Sequence, residues 1–344
     1  MIKNIRIVSL SKGIIGESYV KHEVDIGVRR LEEFGLNVSF SKHALMGKEF
    51  IENHPEARAA DLVEAFCDKN VDMSLCAIGG TDTYRLLPYL FGNDELKNAV
   101  RGNYKPFLGF SDTTINHLML HKLGVNTFYG QSFLADICEL DNDMLPYTKK
   151  YFQELITTGT IREITPSEVW YEERKDFGVS AIGTPCPEHK NDGFELLRGK
   201  SVFSGKVLGG CIDSLYEMFV CECHPDMPDV CTKYGLFPTR EDWRGRILLL
   251  ETSEEKMEPE KYRAALECFK EKGVFDGISG ILVGKPQDEV YHDEYRKALL
   301  DVVPEQISIL CNISIGHAKP RCIIPFGVTA HVDAEKQVIK FYEE

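Results

Sequence analysis

Short apolar runs alternate with longer amphipathic stretches through the first half of the chain. That alternation restricts the fold to βα units built on a parallel sheet. Residues 5–10 read as a first strand, with Ser11-Lys12-Gly13 as the loop after it. Val24, Ile26, Val28, Leu31 and Phe34 recur at roughly helical spacing, and Gly35 ends that helix. Further expectations are a strand over 37–40, a helix over 55–70, and a buried strand over 73–78 that runs straight into Gly79-Gly80. The next unit has the same form: a short strand over 107–110, Ser111 at its carboxyl end, and a helix to about residue 123.

Residues 141–200 change character. They hold Pro146, Pro166, Pro185 and Pro187, many charges and few clean periods, which suits a connector with a mobile loop. Beyond it the pattern resumes with residues 205–211, the run Ile247-Leu248-Leu249-Leu250, a helix over 258–272, a strand over 280–284 and a last strand over 338–341. A chain of 344 residues accommodates two cores. The expected organisation is an α/β domain over 1–165, a connector and mobile loop over 166–190, and a second domain over 191–344.

The formal charge of −14 argues against a nucleic-acid polymer as partner, because nothing here would neutralise a run of phosphates. A small nucleotide-like ligand stays open, since a pocket can differ from the average. Arg6 interrupts the N-terminal apolar run, so no secretory signal is expected. No stretch has the length needed to cross a bilayer. The expectation is a cytoplasmic protein whose 11 cysteines are reduced thiols.

For chemistry, a serine nucleophile needs exposure at a sharp turn, a base and donors for an oxyanion. Ser111 has the strand–turn–helix setting, although Thr113 stands where Gly-x-Ser-x-Gly would place its second glycine. Taken alone, Ser111-Asp112 also fits a helix cap. Gly79-Gly80-Thr81-Asp82 ends the neighbouring strand, and amides at such a turn can face a developing negative charge. It lacks the glycines or Lys-Ser/Thr ending of a phosphate loop. The base should be one of ten histidines, and the pattern of residues does not choose among them. His117 and His121 stand at i, i+4 but lack the glutamate of a zinc helix. His317 lies in a turn between Gly316 and Ala318-Lys319-Pro320, and Glu251 directly follows the apolar run 247–250. Cys221-Glu222-Cys223-His224 with Cys231 is not a usual zinc spacing, so buried inert thiols are expected.

Together these segments resemble the LD-carboxypeptidase family, and within it the branch of microcin C immunity proteins. The resemblance spans nearly the whole chain. It is carried by Ala77-Ile78-Gly79-Gly80 with Arg85-Leu86-Leu87-Pro88-Tyr89-Leu90 and by Lys105-Pro106-Phe107-Leu108-Gly109-Phe110-Ser111-Asp112-Thr113-Thr114. Gly205 to Cys211, Leu248-Leu249-Leu250-Glu251, and the single piece Gly316-His317 followed by Ile324-Pro325-Phe326-Gly327-Val328 complete it. Five such pieces in the right order are specific where each alone is weak. Cys211 and Gln131 depart from the asparagine and proline frequent in the family.

The resemblance implies a Rossmann- or flavodoxin-like parallel-sheet domain beside a smaller β-rich α/β domain, commonly as a homodimer. It implies a Ser-Glu-His triad at Ser111, Glu251 and His317, an oxyanion hole from the amides of Gly80 and Asp112, and no metal or cofactor. Gly79 and Thr81 would contact substrate. Trp170, in Ser167-Glu168-Val169-Trp170, matches the segment in which the immunity branch places a tryptophan over an adenine base. The implied substrate is a peptidyl- or aminoacyl-nucleotide; the alternatives are a muropeptide that releases D-alanine, or a nucleotide bound without catalysis.

Overall fold

A computed structural model describes residues 1–342; Glu343 and Glu344, the end of the second expected domain, lie outside the described residues. Five short strands open the chain: β1 (Asn4–Val8), β2 (Asn37–Phe40), β3 (Met73–Cys76), β4 (Phe107–Gly109) and β5 (Thr127–Tyr129). They pair in parallel in the order β5-β4-β3-β1-β2, with helices in the intervening segments. Ile5, Ile7, Leu75, Phe107 and Leu108 are wholly buried, as strands covered on both faces require.

After these come β6 (Glu163–Ile164), the hairpin of β7 (Val169–Tyr171) and β8 (Glu188–Lys190), then β9 (Glu195–Arg198), β10 (Val202–Cys211), β11 (Arg246–Glu251), β12 (Gly280–Gly284) and β13 (Ser308–Ile313). The chain ends through β14 (Ile324–Phe326), β15 (Thr329–Asp333) and β16 (Val338–Tyr342). An eight-stranded sheet runs β6-β16-β15-β10-β11-β12-β13-β9. Its four central strands, β10 to β13, are parallel, and its flanks are antiparallel. The architecture is mixed α/β with a mainly parallel first sheet, as the alternation of elements requires.

The two sheets exchange strands. β14 adds to the first sheet antiparallel to β5, with Ile324 opposite Tyr129, while β6 joins the second at β16. One continuous hydrophobic core runs from Ile2 to Phe341.

The region expected as a connector holds a regular helix, Pro146–Thr158. Pro146 occupies the first turn, where its missing N–H costs nothing, and Gly159 at φ 80° closes the helix. Thr148, Tyr151, Phe152, Leu155 and Ile156 form its buried face. A proline that reads as a breaker is here an initiator.

Candidate active site

Four strand ends converge on one point. β4 delivers Ser111, β3 delivers Gly79-Gly80, β11 ends on Glu251, and the loop after β13 delivers His317. Ser111 has φ 66°, a left-handed conformation that a non-glycine residue adopts only where surroundings enforce it. Its hydroxyl does not cap the following helix, Thr113–Lys122. Instead Oγ lies 3.0 Å from His317 Nε2. The close approach of β3 depends on glycine: a Cβ on Gly79 would stand 2.7 Å from that of Ser111.

His317 Nδ1 donates to Glu251 Oε2 at 2.8 Å, and the His317 amide donates to the same oxygen at 3.2 Å. Gly316 makes that second contact feasible, because a Cβ there would fall 2.2 Å from Glu251 Oε2. Glu251 is 2 % exposed. Its other oxygen accepts from the Tyr129 hydroxyl at 2.5 Å. Tyr129 in turn accepts from the Ser111 amide at 3.2 Å, so one phenol ties the Ser111 turn to Glu251 across the two sheets.

Burial alone would lower the His317 pKa, but the carboxylates of Glu251 and Glu254 outweigh it and raise the ring to about 10. Glu254 Oε2 is 2.8 Å from Nε2, and this contact holds its own pKa down at about 2.

The turn beside Ser111 is braced by buried polar contacts. Asp82 takes a two-pronged contact from Arg58, at 2.7 and 3.1 Å. Asp112 accepts from Ser11 Oγ at 2.6 Å and from the Thr83 amide at 3.0 Å, and burial raises its carboxyl to about 6. No acceptor among the described residues takes the amides of Gly80 or Asp112.

A cavity of about 520 Å³ opens over Ser111 and His317. Gly79, Gly80, Tyr19, Phe177 and Glu254 are among the residues lining it. Its far wall is a closed charge network in which Glu139 joins Arg174 at 2.7 Å and Lys319 at 3.2 Å. Lys12, also on the lining, forms no ion pair among the described residues.

The sequence-predicted residues separate into two groups. Ser111, His317, Gly79 and Gly80 line the cavity, with Glu251 behind His317 and Asp112 next to Ser111 just off the lining. Thr81 turns toward His224, with Oγ1 3.2 Å from Nε2. Trp170 lies on the β7–β8 hairpin, stacked on His189 at 4.3 Å with Lys285 Nζ 5.2 Å from its ring. That hairpin meets the cavity wall through Tyr171, whose amide donates to Lys319 O at 3.0 Å.

Among the described residues, two groups bring possible metal-ligating atoms within 4.8 Å of one another: Cys211, Glu251 and His317, and Glu217, Cys221 and Cys223. In the first, burial keeps the Cys211 thiol protonated, and Glu251 and His317 are engaged with each other. The expectation of uniformly buried thiols in the second region needs correcting, since Cys221 and Cys231 are buried but Cys223 is exposed. The loop between two helices bends outward there. His117 uses both ring nitrogens, toward Thr127 Oγ1 at 2.7 Å and Gly109 O at 3.0 Å.

Tyr129 and Glu254 are the residues that sequence reasoning missed. Tyr129 ends a strand adjacent to the serine strand, which is a usable signal. Glu254, in an acidic loop, offers none.

Residues 5–130 match the model of the LD-carboxypeptidase N-terminal domain and residues 204–332 that of the C-terminal domain. Among curated relatives, the probable murein peptide carboxypeptidase of Bacillus subtilis is 28% identical over 92% of this chain and 86% of its own. The microcin C7 self-immunity protein MccF of Escherichia coli is 24% identical over 83% and 78%. Among solved structures, an MccF-like protein from Streptococcus pneumoniae in complex with AMP is 60% identical, covers 99% of both chains and superposes with a TM-score of 0.98. This chain belongs to the LD-carboxypeptidase family.

Proposed function

We propose that the protein is a serine amidase that hydrolyses the acyl bond of an aminoacyl- or peptidyl-nucleotide through an acyl-enzyme. The observation that carries this reading is the relay Ser111 Oγ–His317 Nε2 at 3.0 Å and His317 Nδ1–Glu251 at 2.8 Å, on the floor of an open cavity. At about 520 Å³ that cavity suits a nucleotide-sized ligand. The 60% identical streptococcal structure holds AMP, and MccF has been solved with aspartyl sulfamoyl adenosine.

Ser111 Oγ attacks the carbonyl carbon while its proton passes to His317 Nε2. Glu251 holds the ring by Nδ1 and stabilises the imidazolium. The carbonyl oxygen, now negative, is received by the amides of Gly80 and Asp112. Collapse of the tetrahedral adduct breaks the bond to the nucleotide side, whose nitrogen takes the proton from Nε2. Water then attacks the acyl-serine by the same route in reverse and restores the hydroxyl. Lys12, on the cavity lining, is assigned to the phosphate or its sulfamoyl analogue. Gly79 stands at the substrate's edge; Trp170 and Thr81 do not line the cavity, and neither has a role in this reading.

A second reading, a muropeptide carboxypeptidase, is favoured by the relative in Bacillus subtilis. Incubation with glutamyl sulfamoyl adenosine and with a muropeptide tetrapeptide separates the two. Release of glutamate, abolished in Ser111→Ala, is expected; release of D-alanine alone would refute the nucleotide assignment.

A further inference from the structure

The loop that follows β11 brings a second carboxylate into the cavity. Glu251 ends the strand and engages the Nδ1 edge of His317. Three residues later Glu254 comes round to the opposite edge, with Oε2 2.8 Å from Nε2. Ser111 Oγ shares that nitrogen at 3.0 Å.

An imidazole nitrogen offers either a proton or a lone pair. Beside a carboxylate at this distance Nε2 holds the proton, and a protonated Nε2 cannot take another from Ser111. The described arrangement is therefore a closed chain of charges, Glu251–His317–Glu254, with the base already neutralised. Glu254 differs from Glu251 in one decisive respect: its side chain is 56% exposed, against 0%. It is a solvent-facing loop group with room to turn, whereas Glu251 is fixed by Tyr129 and the His317 amide.

Leaving the ring costs Glu254 its cationic partner, and another cation must replace it; Lys12, already on the lining, is assigned to the phosphate. A neutral acyl group entering the cavity offers none. Of the substrate class proposed above, the aminoacyl members carry one on the carbon next to the scissile carbonyl, their free ammonium, and the peptidyl members do not. We infer that Glu254 selects substrates with a free ammonium group beside the scissile bond, and that its transfer from His317 to that ammonium releases the base for catalysis. The inference rests on the serine amidase reading but concerns a different residue and a different part of the ligand. It makes the unproductive contact of the empty site part of the recognition.

The test compares glutamyl sulfamoyl adenosine with its N-acetyl counterpart, in wild type, Glu254→Gln and Glu255→Gln. Charge-assisted contacts of this kind support a preference of about tenfold or more in kcat/KM for the free amine. Wild type and Glu255→Gln should both show it. In Glu254→Gln it should shrink to about twofold, with the acetylated substrate still cleaved. An undiminished preference in Glu254→Gln overturns the inference. A second measurement needs no substrate: labelling of Ser111 by a neutral fluorophosphonate at neutral pH. Glu254→Gln should label about threefold faster or more, because the freed ring can act as a base. Equal or slower labelling overturns the gating role. If no protein cleaves either adenylate while Ser111 still labels, the nucleotide assignment falls, and the labelling rates alone decide on Glu254.

Discussion

His117 and His317 are the same side chain, both buried, and they lie at opposite ends of the histidine range. His117 packs among Phe107, Tyr129 and Phe326, each ring centre 5.3 Å away, with only neutral partners at its nitrogens. Burial lowers it to about 4. His317 is flanked by two carboxylates and stands at about 10. Burial sets neither outcome by itself; the charges admitted with the ring do. One environment makes a structural hydrogen-bond bridge beneath the serine strand, the other a group able to exchange protons.

The contrast is broken most directly by substitution. His317→Ala should cut hydrolysis and probe labelling by about 10⁴-fold or more while the fold persists. His117→Gln should do the reverse, leaving turnover within about tenfold and lowering stability by about 1–3 kcal/mol by urea unfolding. Equal losses of activity in the two variants would erase the distinction.

Glu251→Gln removes the charge that separates the two rings. Turnover should fall by about 10²–10⁴-fold, and NMR titration should find the His317 ring well below about 10. Tyr129→Phe leaves Glu251 Oε1 without its donor, a smaller loss of about tenfold in kcat.

The smallest effect is in the pH dependence of stability, where the rings act with opposite sign. His317 is raised above its ordinary 6.5, so its contribution is complete below that value and is lost as pH rises through about 10. His117 is lowered, so its contribution is present above 6.5 and is lost as pH falls through about 4. Urea midpoints measured across this range should lose part of their acid-side slope in His117→Gln, where His121 titrates in the same direction, and part of their alkaline slope in His317→Ala. Slopes unchanged by both variants would place the titrating groups elsewhere.

Much of the scaffold was legible in the chain. The alternation of apolar runs located β1 to β4 and β10 to β12 within a few residues, because short apolar runs between polar or glycine-bearing turns leave a local mark. The glycine pair after β3 and the serine after β4 were legible as strand-end residues for the same reason. The base was not: any of ten histidines fits the residue pattern, and only the resemblance singled out His317. What brings it to Ser111 is the packing of one sheet's strand ends against the other's, and no periodicity records that. Tyr129 and Glu254 were missed on the same ground, as their partners lie 122 and 63 positions away along the chain. The helix Pro146–Thr158 was hidden by a proline whose meaning depends on which side of a helix boundary it falls.

The exchange of β14 and β6 between sheets also governs what can be cut or recombined. A fragment that stops before residue 324 lacks an edge of its first sheet, and one that stops before residue 317 lacks His317 as well. Relatives spliced at the connector would join a first sheet to an edge strand from a foreign parent, with Ile324 and Tyr129 no longer chosen for each other. Hybrid enzymes of this family should therefore succeed when the exchanged piece carries residues 324–326 with the first 160, as a discontinuous unit, and fail when the crossover follows the linear order of the chain.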